Sequence, residues 1–147
     1  VNADVIDIAE YLEGNTSDQL INKAVSDGAV EGAIVQLNTF GQLGRFEDST
    51  GEKLADIGGE YSTFTQEAKG LGPREVNLED TGDYWESFEV NPINGDGYEI
   101  SSDPIKTGGD NLENRWGKNL EGLNKENIKK ANDIIEAKIW AQAEKAL

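Results

Sequence analysis

The chain has 147 residues, a formal net charge of −16, and neither Cys nor His. A chain of that length suits one domain with a real core, and the two absences exclude disulfides, thiolate or imidazole metal sites, Ser-His-Asp and Cys-His catalysis, and an imidazole pH switch. The acids are concentrated: residues 47–103 carry fifteen against three bases, whereas from Pro104 onward seven meet eight, so no basic face offers itself to a phosphate backbone.

Taken in chain order, Val5, Ile8, Ala9 and Leu12 recur at helical spacing and predict a short amphipathic helix ended by Gly14-Asn15. Residues 15–44 read as one longer helix. Thr16 or Ser17 caps it, Asp18 suits its first turn, and Leu20, Ile21, Ala24 and Val25 begin an apolar stripe. Gly28 and Gly32 either weaken that helix, by about 1 kcal/mol each relative to Ala, or let a neighbouring backbone approach. The region 1–43 is thus helical, and 44–79 is expected to be a long loop. It is rich in Gly, Ser, Thr and Asp, with turn signals at Gly58-Gly59 and Gly70–Pro73. A loop of this length is functional or mobile; a short helix from Ser62 or Thr63 to Lys69 fits inside it.

Residues 80–103 read as a turn followed by a β-hairpin. Asp80 and Thr81 are capping residues, Gly82 allows a sharp reversal, and one helical turn over Asp83–Ser87 follows. Phe88 and Val90 then alternate as a strand, Asn94-Gly95 and Asp96-Gly97 are hairpin signals, and Tyr98 and Ile100 supply the returning apolar face. Residues 104–123 are irregular, with one helical turn at Leu112–Trp116. A C-terminal helix over 124–147, capped by Asn124, carries the stripe Ile128, Ala131, Ile135, Ile139 and Ala143, with Lys129, Lys130 and Glu136 facing away. The expected fold is one α+β domain: N-terminal helices, a small antiparallel sheet with a hairpin near 88–101, and the C-terminal helix packed on that sheet. No apolar run approaches the ~20 residues of a membrane span. The chain contains no Met, so the numbering is expected to begin after a removed initiator.

The chemistry motifs fail one by one. Twenty-nine acids offer many carboxylate pairs to a glycosidase-type mechanism and single out none. With Gly97 at the sixth position of a calcium loop, Asn94 and Asp96 fall on ligand positions. Pro92 then stands first and Asp103 last, where carboxylates, normally a Glu at the end, are needed. "WGKN" lacks the leading Gly and the trailing Ser or Thr of a phosphate loop. The expectation is therefore no catalytic residue, no cofactor and no metal. Trp85, Trp116 and Trp140 are core anchors or interface anchors. Because adjacent residues are not expected to face one core together, Tyr84 and Trp85 are candidate interface residues, with Trp116.

The order of "QLNTFGQL" (36–43), "DSTGEKL" (48–54), "YSTFTQEAK" (61–69), "GPREVNLEDTGDYWESFEV" (72–90), "YEISSDPIK" (98–106) and "WGKNLEGLNKENIKKA" (116–131) resembles small tailed-phage structural proteins. It is distantly similar to the tail-completion, or head–tail connector, proteins of long-tailed phages. There a Thr-Gly step and a Ser-aromatic or Ser-aliphatic pair introduce the hairpin; here they are Thr81, Gly82, Ser87 and Phe88. The resemblance spans residues 36–132 and implies a non-enzymatic virion protein of the neck. It would form a homo-oligomeric ring, a hexamer or dodecamer, against portal-adaptor, neck or tail-tube proteins. DNA would pass nearby without specific binding, no membrane would be involved, and the protein would assemble in the host cytoplasm before residing in the virion. A minor capsid or head-decoration protein is the alternative reading, and a small carboxylate hydrolase the third.

Overall fold

A computed structural model describes residues 10–93, 97–106 and 108–146. Its elements run as helices, one two-stranded antiparallel sheet, and a long last helix, which is the α+β class expected. Of the first expected helix, residues 10–13 are described and helical; Val5, Ile8 and Ala9 lie outside the described residues.

The single helix expected over 15–44 is two. Helix α1 spans Ser17–Val25 and α2 spans Gly28–Asn38. Thr16 opens α1 with a reciprocal capping box: its Oγ1 accepts from Gln19 N–H, and Gln19 Oε1 accepts from Thr16 N–H. At Asp27 the backbone turns extended (φ −73°, ψ 128°), and Oδ1 accepts from the N–H groups of Ala29 and Val30. The carboxylate satisfies donors that a new helix leaves orphaned, so a break here costs little. Gly28 accordingly starts a helix instead of weakening the middle of one. A Cβ at Gly28 or Gly32 would meet nothing within 4 Å, so neither admits a close neighbour.

The region expected to be a long loop, 44–79, is built into the core. A 3-10 turn at Leu43–Arg45 leads to a bridge between Glu47 and Lys53, then to helix α3 at Leu54–Gly58. Helix α4 follows at Thr63–Lys69, with Ser62 Oγ accepting from Thr65 N–H, as its sequence indicated. Leu54, Ala55, Val76 and Leu78 from this region are buried. Helix α5 is the single turn Asp83–Glu86. Strands β1 (Glu89–Pro92) and β2 (Tyr98–Ser101) pair antiparallel with Val90 opposite Ile100, both buried. The expected turn residues Asn94, Gly95 and Asp96 lie outside the described residues. Helix α6 is Leu112–Trp116, capped by Asn111, and α7 is Lys125–Lys145, capped by Asn124.

Packing places α1 and α2 at the centre: the hairpin and α7 both pack on them, while α3 packs on α6. Helix α7 therefore covers α1 and α2 rather than lying flat on the sheet. Its inward face is Asn127, Ala131, Ile135 and Ala143. Ile128, expected in that stripe, is 44% exposed because Asn127 takes the inward position beside α2.

Candidate functional site

The sequence-selected turn is held by its backbone. Gly82 has φ 93° and ψ −14° and is the residue before α5, yet no side chain caps that helix in the ordinary way. Thr81 Oγ1 accepts from Asp83 N–H at 3.3 Å. Asp80, expected to cap, instead pairs with Lys106 at 3.5 Å on the surface. Ser87 ties the turn to the strand that returns: its Oγ donates to the Tyr84 carbonyl at 2.6 Å and accepts from Asp103 N–H at 2.9 Å. Phe88 is buried against the Tyr84 ring, centroids 5.1 Å apart.

All three candidate interface residues are interior. Tyr84, Trp85 and Trp116 are 9%, 8% and 6% exposed. Adjacent Tyr84 and Trp85 are both buried because the one-turn helix lies between two parts of the core. Trp85 packs edge-on to Phe40 at 5.0 Å and donates from Nε1 to the Asn77 carbonyl. Tyr84 points the other way, to Ser102, whose Oγ also meets Glu121 Oε1 at 2.6 Å. Burial pushes the Tyr84 phenol far above its ordinary range. Trp140, on α7, is the exposed tryptophan at 47%.

A cleft of about 510 Å³ opens beside the turn, where Asp80, Thr81, Tyr84, Ser87 and Trp116 meet Tyr61, Lys69 and Arg115. Gly82, Trp85 and Phe88 do not line it. The cleft's cations are engaged. Lys69 donates to the Glu79 carbonyl and lies over the Tyr61 ring, and burial lowers its pKa against the pull of Asp80 and Glu79. Arg115 donates to the carbonyls of Gly58 and Glu60 and stacks on Trp116 at 4.3 Å. Gly58 is required there, since a Cβ would sit 2.5 Å from Trp116 Cδ1. Tyr61 accepts from Leu78 N–H, and burial raises its phenol. Among the described residues, no group of three or more acids, His or Cys is placed to hold a metal ion.

Sequence reading missed the buried polar hub between the end of α2 and the segment that leads into α7. Asn38 donates from Nδ2 to the Leu120 carbonyl and accepts at Oδ1 from Gly122 N–H. Gln42 donates to the Gly122 carbonyl at 2.7 Å and accepts from Asn124 N–H at 2.8 Å. Asn127 reaches back to the carbonyls of Leu37 and Gly41 and to Gln42 Oε1. Asp48 Oδ1 takes three donors, from Thr50 N–H, Thr50 Oγ1 and Glu52 N–H, while Ser49 N–H donates to the Asn119 carbonyl. Asn38, Gln42 and Asn127, with almost no exposure, thus join segments about eighty residues apart, while buried Asp48 holds its own turn, each satisfied as burial demands. Their signal in the sequence is the clustering of amides in 36–43 and 119–127, a composition equally at home in turns. Comparison with protein-family models, curated proteins and solved structures finds no match.

Proposed function

We propose that the chain is a non-enzymatic structural subunit of a tailed-phage neck, working as a ring component at the head–tail junction. The single observation that carries this reading is where the resembling motifs go. Three of the six blocks, 36–43, 48–54 and 116–131, converge on one buried hub, through Asn38, Gln42 and Asn127 and through the Ser49 N–H that donates to the Asn119 carbonyl. Side chains that clamp distant backbone segments suit a framework, and the cleft lined by the remaining blocks, 61–69, 72–90 and 98–106, has its Lys69 and Arg115 held by backbone carbonyls. The acidic excess of 47–103 suits a lumen through which DNA slides without finding a basic partner.

The test is the composition of the particle. In gradient-purified virions the chain is expected at fixed copy number, with density for its hairpin and long last helix in the neck. Its absence from particles would overturn the reading. Density on the outer capsid surface would replace it with head decoration.

A further inference from the structure

We infer that the outer edge of β2 receives an extended segment of another protein as a third strand, one whose residues alternate between apolar and basic. The hairpin itself decides which backbone groups face outward. Ile93 N–H donates to the Gly97 carbonyl, and beyond the other end of the pair Asp103 N–H donates to Ser87 Oγ. Both point across the hairpin. Donors alternate along a strand, so Glu99 and Ser101 also face β1, while Tyr98 and Ile100 face away. Among the described residues, no other backbone group bonds to the N–H or C=O of Tyr98 or Ile100. Ile100 is nonetheless only 9% exposed, and open backbone groups on so covered a residue are what an added strand completes. The opposite edge is blunted: Pro92 has no N–H, and Phe88 donates its own to the Trp85 carbonyl. One edge is closed and the other is open.

The surroundings of that edge set the chemistry of the occupant. Residues opposite each other on paired strands share a face, so those opposite Tyr98 and Ile100 project to the helix-packed side. There a groove of about 370 Å³ lies between α1, β2 and α7, with Ile21, Ile135 and Ile139 in its lining. No residue of β1 lines it, so it opens on the unpaired side of β2. The position between them stands beside Glu99, exposed on the outer face. Glu136 is the one charged residue lining the groove, and among the described residues neither Glu99 nor Glu136 has an ion-pair partner. Apolar side chains therefore suit the inner positions and cations the outer ones. A second copy of the chain fits badly: β2 against its own image brings Glu99 towards Glu99 and joins two chains of charge −16. The contact does not depend on the neck reading.

The probe is a short synthetic peptide of alternating valine and lysine, its binding to the full chain read by fluorescence anisotropy at about 0.15 M salt, where loose attraction between charges is screened. It is expected to bind at least about tenfold more tightly than a peptide with the same valines and lysines in separate blocks, and than one alternating valine with glutamate. Amide exchange followed by NMR should slow at least about tenfold at Tyr98 and Ile100 when the peptide binds, and change little at Glu99 and Ser101, which already face β1. Of two N-methylated peptides, one blocked on its valine amides and one on its lysine amides, only one should still bind, because alternate amides face the edge. Tyr98→Pro gives β2 the blunting that Pro92 gives β1 and should remove the protection at Ile100. Glu99→Lys, at an exposed position, should weaken binding several-fold with an unchanged circular dichroism spectrum. Equal binding of the block peptide, equal effects of the two methylations, or unaltered exchange at Tyr98 and Ile100 overturns the contact, and each of these is read on the parent chain. Self-association of the free chain that Tyr98→Pro abolishes would seat a second copy on the edge and overturn the basic partner.

Discussion

At Gly82 the backbone stands at φ 93°, a region that side chains with a Cβ rarely adopt, while space is not limiting: a Cβ would meet only Glu86 Oε1, at 3.8 Å. Gly82→Val is therefore a test of conformation alone and is expected to cost about 1–3 kcal/mol in denaturant unfolding. Asp80→Asn removes one exposed pair with Lys106 and should change stability by less than about 0.5 kcal/mol; an equal cost in both variants would mean that the carboxylate, not the backbone, holds the turn. The hub makes a sharper demand. Asn38→Leu leaves the buried Leu120 carbonyl and the half-buried Gly122 N–H without their side-chain partner, and about 1–3 kcal/mol should be lost, measured by the same unfolding curves. The glycine of the turn was legible because its role is local, whereas Ser87 also accepts from Asp103 N–H, a contact no local pattern reveals. The amide hub was not legible either, since Asn and Gln announce their partners only when distant segments meet. The adjacent aromatics misled for a related reason: a four-residue helix can present neighbouring side chains to two faces of one core.

Elements show the same division between local and distant causes. The caps at Thr16 and Asn124, the helix at Thr63–Lys69, the turn at Leu112–Trp116 and the presence of the hairpin follow from nearby residues and were readable; the register that sets Val90 opposite Ile100 was not assigned. The break between α1 and α2 falls at Ser26-Asp27-Gly28, whose Asp-Gly step is a turn signal that the reading as one helix passed over; what decides is Asp27, which also meets Lys138 of α7 at 2.9 Å. That contact ties the start of α2 to the last helix, a partner no local pattern reveals. The Lys138 hydrogen bond, aided by Val30 N–H, holds the Asp27 carboxyl below its usual range. A depressed carboxyl contributes stability that is present above its unfolded pKa of about 4 and is lost as the pH falls through the lower folded value. Asp27→Asn keeps the cap and removes the charge. Its melting temperature should lie below that of the parent chain at neutral pH, with the gap narrowing as the pH drops below about 4. A gap that is constant from pH 7 to pH 3 would place the effect in the cap and not in the ion pair.

For the molecule as a whole, a net charge of −16 on 147 residues sets the balance between cohesion and self-repulsion. The ion pairs among the described residues join partly exposed groups, such as Lys53 with Glu47 and Arg45 with Glu126, and pairs of that kind stabilise little. Most acids of residues 47–103 have no base to meet, because that region has only Lys53, Lys69 and Arg74. Repulsion among them is long-ranged at low salt and is cut to within about 10 Å at 0.1 M. Screening should then stabilise the compact chain more than it weakens the few surface pairs. Raising sodium chloride from about 10 mM to about 500 mM is expected to raise the melting temperature by several degrees, on the order of 1 kcal/mol for a domain of this size. Most of the rise should come at the low-salt end, where the screening length changes fastest. The measurement belongs in EDTA as well as in plain buffer, since a divalent ion bridging acids would mimic screening; the two curves should coincide. A melting temperature that falls with salt would mean that attractive pairs dominate the surface, and the acidic region would then be a network holding the fold together rather than a charged face kept free for a neighbour.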